Sequence, residues 1–228
     1  LGWFSRKPSF YEINKLPEND EKLMCFGSVL VSNNHVYSQA SILNFEEKYR
    51  ETYINGLAEM WEIVDSATAK ETIEWLLNEG HRTKYNDIIL EIIKSKGRPE
   101  GIEQEIVDSF NEGCKTLFSV SKGKVKFTSP EDIVNFKTME AWDYERVGFL
   151  ARTCCFLNYI TREEAMSYLQ TVAKLSSKAY PDWEAYMVGF LLGRSVSFSS
   201  DIYGLALSAE ELIKGKKYVL NKYPLNTF

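Results

Sequence analysis

The residues best suited to chemistry stand in the run Ala141-Trp142-Asp143-Tyr144-Glu145-Arg146. On a helix, Trp142, Arg146, Leu150 and Cys154 fall in one line, four residues apart, which places Arg146 inside an apolar stripe. An unpaired guanidinium there is costly, and Asp143, three residues earlier, is within reach as a partner. The arrangement recurs at Trp183, Met187, Leu191 and Arg194, where a second arginine ends an apolar row. Asp182 and Glu184 lie too far up that helix to serve it, so Arg194 is expected to draw on Asp143 or Asp65. Two chemistries fit this set. One is a buried Arg–Asp network that fixes helix packing; Arg146→Ala would then cost about 3–5 kcal/mol, and joint replacement with Asp143 much less. The other is an anion pocket in which the two arginines grip a carboxylate or phosphate bidentately.

His81, in Gly80-His81-Arg82, could act as a general base beside Asp143 or Glu79. Its plainer role is to hydrogen-bond the free carbonyls at the end of the preceding helix. His35 follows Asn33-Asn34 in a polar turn and reads as surface. Two separate histidines, with Cys25, Cys114, Cys154 and Cys155 in no ligand spacing, predict no metal site. Cys154 and Cys155 project about 100° apart on a helix, so they are poor disulfide partners. Reduced thiols in the cytoplasm are the expectation. The sequence holds no phosphate loop, no GxGxxG and no GxSxG elbow, so no cofactor is expected either.

Positioning these groups falls to helices. Apolar residues recur at spacings of three and four over Phe45 to Val64, Ala69 to Leu77, Tyr85 to Ile93, Ala165 to Leu175 and Trp183 to Leu191. Thr68 with Glu71, Thr161 with Glu164 and Ser208 with Glu211 have capping-box spacing, and Ser129-Pro130 offers a cap with an N1 proline. Gly80 and Gly97 fit helix stops, and Pro99 suits the first turn of a helix running to Gly113. Residues 20–32 read as helix, with a strand as the alternative because Val29, Leu30 and Val31 are contiguous. Residues 115–128 break the rhythm and predict a small β-hairpin near 116–128, an excursion between two helical halves. The fold expected is all-α: an irregular bundle of about nine to ten helices in one domain over 1–228, with 1–19 as a flexible arm.

The chain has 228 residues, 44% hydrophobic, which suffices for a sizeable core and excludes a disordered tail or a disulfide-stapled miniprotein. Its net charge of −5 argues against nucleic-acid binding. No stretch approaches the ~20 apolar residues of a membrane span. No apolar segment follows the basic residues near Leu1, and the missing initiator Met fits removal of something upstream.

Three blocks resemble the bacterial family called domain of unknown function 1266. They are Trp61-Glu-Ile-Val-Asp65 running into Gly80-His81-Arg82, then Ala141-Trp142-Asp143 with Arg146, then Trp183-Glu-Ala-Tyr186 running into Gly193-Arg194. Asp182 is a minor departure, standing where the pattern has a small residue. The resemblance implies an all-helical cytoplasmic bacterial protein and marks Trp142, Asp143, Arg146, Trp183 and Arg194 as a shared constellation. It implies no activity. Two functions are expected to compete. The leading one is a non-enzymatic protein-interaction domain of accessory or immunity type, with another protein as partner. The alternative is a small-molecule or anion-binding enzyme using Arg146, Arg194, His81 and Asp143. Convergence of those four on an open pocket would separate the two.

Overall fold

The structure, a computed structural model, describes residues 7–34, 37–121 and 128–228. Nine helices of seven residues or more are present among them: α1 (Ser28–Asn34), α2 (Arg50–Trp61), α3 (Ser66–Asn78), α4 (Arg82–Lys94), α5 (Gln104–Val120), α6 (Glu140–Phe156), α7 (Arg162–Ala179), α8 (Trp183–Phe198) and α9 (Tyr203–Lys214). Short α- and 3-10 segments precede, join and follow them, and no strand occurs among the described residues. The fold is therefore all-α. His35 and residues 122–127, the middle of the expected hairpin, lie outside the described residues.

Several boundaries differ from the sequence expectation for local reasons. α3 is capped by Asp65, whose Oδ1 accepts the Thr68 N–H at 2.9 Å, rather than by Thr68 itself. Thr68 instead answers as the N3 partner of Asp65. α5 starts at Gln104 and runs on through residues 115–120, so the first β-prone run is its last turn. Leu117 and Val120 are buried there, and tertiary packing overrides the weak local preference. Ser208 is a buried interior residue of α9, which begins five residues earlier. Residues 18–25 and 28–34 are helical turns, not strand, parted at Gly27. Ser129 and Thr161 cap as expected, each in a reciprocal box with its N3 acid.

The centre of the molecule is α6. Fifteen of its 17 residues are buried, so it is enclosed on all sides by α7, α8, α3 and α1. A helix enclosed in this way is ordinarily apolar all round. This one carries Asp143, Glu145, Arg146 and Arg152, all buried. Each of those groups must find partners within the protein.

Candidate functional site

Asp143 is fully buried, and its partners come from the α3–α4 junction. Its Oδ1 accepts the His81 N–H at 2.9 Å, and its Oδ2 accepts the Arg82 N–H at 3.2 Å. These are the first free donors of α4, whose N-cap residue, His81, makes no side-chain cap. Asp143 caps α4 from another helix, its charge placed where the helix dipole favours an anion. Arg82 Nη1 adds an ion pair to Oδ2 at 3.0 Å, and Arg146 Nη2 pairs with Oδ1. Gly80 makes this approach feasible. Its φ is +62°, and a Cβ there would stand 2.2 Å from Asp143 Oδ2.

Arg146 is 2% exposed and points its guanidinium from this network towards an open cleft. Its Nε donates to the Trp142 carbonyl at 3.1 Å, and its Nη2 lies 2.9 Å from His81 Nδ1. It also stacks 4.1 Å from the Trp142 ring centroid. Burial lowers its pKa to about 10, against the raising effect of Asp143, so it stays charged at neutral pH. Burial, then the Arg146 charge, pushes His81 down to about 4. His81 is therefore neutral, and since Arg146 cannot accept, Nδ1 is the acceptor and Nε2 carries the proton.

The cleft has a volume of about 1000 Å³. Its floor is α6, through Trp142 and Arg146, with Arg194 from α8 alongside. Trp61 at the end of α2, Trp75 on α3 and Phe198 at the end of α8 form its walls, and Glu59, Glu62 and Glu71 lie exposed at its edge. The aromatic wall is continuous: the ring of His81 lies 5.3 Å from Trp75 and 5.4 Å from Phe198, and Phe198 lies 5.6 Å from Trp142. Gly193 brings α8 against α6 here, since a Cβ would stand 2.6 Å from that of Trp142. The next residue, Arg194, consequently sits with its guanidinium 5.5 Å from the Trp142 ring.

Arg194 has no carboxylate partner and no hydrogen bond among the described residues, and its buried Nε is unsatisfied. Burial alone lowers its pKa. Neither expected partner serves it: Asp143 is committed to Arg82 and Arg146, and Asp65 to the start of α3. Trp142 Nε1 is a second buried donor without a partner.

Of the residues singled out from sequence, the structure brings together Trp142, Arg146, Arg194 and His81 on the cleft, with Asp143 behind them. Trp183 is elsewhere, packed 5.4 Å from Phe26 with its Nε1 donating to the Tyr223 carbonyl at 2.7 Å. His81 does not bond the end of α3; Arg82 does, through Nη1 to Leu76 O at 2.7 Å and Nη2 to Leu77 O at 2.6 Å. As a general base His81 is poorly placed, with Nδ1 engaged and Asp143 meeting only its backbone. Sequence reasoning missed Arg82, Trp75 and Phe198; the adjacency of Arg82 to His81 was the one signal available.

The remaining charges of α6 are structural. Glu145 accepts the Gly27 N–H at 3.0 Å and the Val29 N–H at 2.8 Å, capping α1, while Tyr186 Oη donates to it at 3.2 Å. Burial raises its pKa to about 7 against those hydrogen bonds. Arg152 donates to the carbonyls of Gln39 and Ile42 at 2.8 and 2.7 Å. All four cysteines are free, and burial raises each thiol pKa. Among the described residues no group of three or more His, Cys, Asp or Glu could hold a metal ion, and no helix is long and apolar enough to cross a membrane.

Residues 56–220 match the family described as "Protein of unknown function (DUF1266)", a span that includes every residue lining the cleft. Over 80 residues the chain is 31% identical to the "Uncharacterized protein YbeR" of Escherichia coli (strain K12), covering 35% of this chain and 34% of that protein. The match thus spans about a third of the relative's length. No solved structure matches.

Proposed function

The chain belongs to the DUF1266 family, and since membership names no activity we propose from the cleft that it is a binding protein for an anionic small molecule. The observation that carries this reading is Arg194. A half-buried guanidinium without a counter-charge is expensive in the free protein, and such groups are kept where a ligand supplies the missing partner. Arg146 stands beside it on the cleft floor, charged and fixed by Asp143, so one anion could meet two guanidiniums. Binding is favoured over acid–base catalysis because the titratable groups beside the two arginines are already spent. His81 is neutral with Nδ1 engaged, and Asp143 is enclosed behind Arg146. Four free cysteines with raised thiol pKa values suit a reducing compartment, and the cytoplasm is the location we assign.

The test uses Arg194→Gln and a panel of carboxylates and phosphates, with thermal unfolding as the readout. Ligand at a hundred times its Kd should stabilise the wild type by about 2.7 kcal/mol and leave the variant unmoved. Without ligand the variant should match or exceed wild-type stability, to within about 0.5 kcal/mol, because an uncompensated charge has been removed. Clear destabilisation by Arg194→Gln, with equal ligand responses in both proteins, would refute the proposal.

A further inference from the structure

We infer that the ligand is an aromatic monocarboxylate, held with its carboxylate on Arg146 and Arg194 and its ring against the wall of Trp75, His81 and Phe198; this rests on the anion-binding reading above. Four features of the cleft select that class.

The first is that the helix-terminal N–H groups at the cleft, among the described residues, already have partners. Two helix N-termini border the cleft, that of α3 through Thr68 and that of α4, and carboxylates of this chain already take their N–H groups: Asp65 that of Thr68, and Asp143 those of His81 and Arg82. Phosphate sites ordinarily draw on such N–H groups, so recognition here is left to the Arg194 guanidinium and to Nη1 of Arg146, whose Nε and Nη2 are already engaged; that donor set suffices for the two oxygens of a carboxylate and falls short of those of a phosphate.

The second is the order of charge. Arg146 and Arg194 lie at the floor, while Glu59, Glu62 and Glu71 stand at the edge. A ligand with one inner negative charge is drawn in. A nucleoside polyphosphate would press its further charges against three carboxylates.

The third is the wall. Phe198 is 53% exposed and Trp75 39%, and both border the cleft beside the neutral ring of His81. A flat ring would cover this surface and gain offset or edge-to-face contacts. The fourth is size. About 1000 Å³ is far more than acetate or inorganic phosphate needs and lies at the upper end of small-ligand pockets.

Calorimetric titration of the full chain with a matched series tests this: 2-naphthoate, 2-naphthyl phosphate, 2-naphthylmethanol, acetate and inorganic phosphate. The expected result is saturable binding of 2-naphthoate, at least tenfold weaker binding of 2-naphthyl phosphate, and none of the neutral alcohol or the ringless anions. Arg194→Lys keeps the charge without the fork and should weaken 2-naphthoate at least tenfold, and Phe198→Ala should weaken it several-fold. Tighter, Arg194-dependent binding of either phosphate would overturn the carboxylate assignment and leave the anion-binding reading standing. Binding of 2-naphthoate unaffected by Phe198→Ala would overturn the placement of the ring. Indifference of every anion to the residue at 194 would overturn both.

Discussion

Asp143 supports more than the single ion pair that its spacing from Arg146 implies. Two backbone N–H groups and two guanidiniums meet its oxygens, and three of those four donors come from His81 and Arg82. Asp143→Ala strands all of them and should cost about 3–5 kcal/mol. Arg146→Ala leaves Asp143 its other three partners, so the loss should be nearer 2 kcal/mol. Urea unfolding of the two single variants measures the order, and equal costs would show that Arg82 and the α4 N–H groups contribute little. The structure also revises the expectation for joint replacement. Arg146→Met with Asp143→Leu still abandons Arg82 and the start of α4, so it should be no milder than Asp143→Ala. The Arg146–Asp143 pair was legible because i,i+3 spacing is a local rule. Arg82 was not, because it lies 61 residues from Asp143 and reaches it only through the fold. The spacing shows Arg194 to be short of a partner, but nothing local says that no carboxylate among the described residues reaches it.

At the scale of elements, helix ends decide where the cleft stands. Gly80 and Gly97 both end helices at positive φ, +62° and +80°, and both were legible as stops. They differ in surroundings: a Cβ on Gly97 meets nothing within 4 Å, whereas one on Gly80 strikes the Asp143 carboxylate. Gly97→Ala should therefore cost only the left-handed backbone penalty of about 1–2 kcal/mol. Gly80→Ala should add about 1–3 kcal/mol for the displaced carboxylate. Denaturant midpoints compare the two directly, and similar losses would mean that Asp143 yields without penalty. The other boundaries show why capping signals divide as they do. Ser129 and Thr161 were legible because each is followed by an acid at N3, Asp132 and Glu164. Thr68 with Glu71 and Ser208 with Glu211 repeat that spacing inside helices, where it carries no capping information. Asp65, the true cap of α3, pairs with a threonine at N3 and escapes the usual acid-bearing pattern.

Across the whole molecule, α6 distributes charge to the ends of its neighbours: Asp143 to α4, Glu145 to α1, and Arg152 to the carbonyls of Gln39 and Ile42. An all-α bundle was legible from periodicity, but this arrangement was not, because a carboxylate that caps a distant helix leaves no mark on the spacing of either segment. It gives the stability a particular pH dependence. His81 is lowered from its ordinary 6.5 to about 4, so between those values the unfolded chain binds the extra proton and stability rises with pH. Glu145 is raised from 4.5 to about 7, so across that window the folded chain holds the proton and stability falls as pH rises. Carboxylates held low by hydrogen bonds, such as Asp65 and Glu164, contribute their losses below about pH 4.5, outside the overlap. From pH 5 to 6.5 the His81 and Glu145 contributions oppose, and the wild-type profile should be nearly flat. Glu145→Gln removes the falling contribution, and although it weakens the cap on α1, its effect on slope is separate from its effect on the midpoint. The variant's stability should climb with pH through that interval, tracked by urea unfolding at half-unit steps. A flat profile in the variant would show that burial of neutral His81 is not coupled to folding, and with it that the ring does not sit against Arg146 in solution.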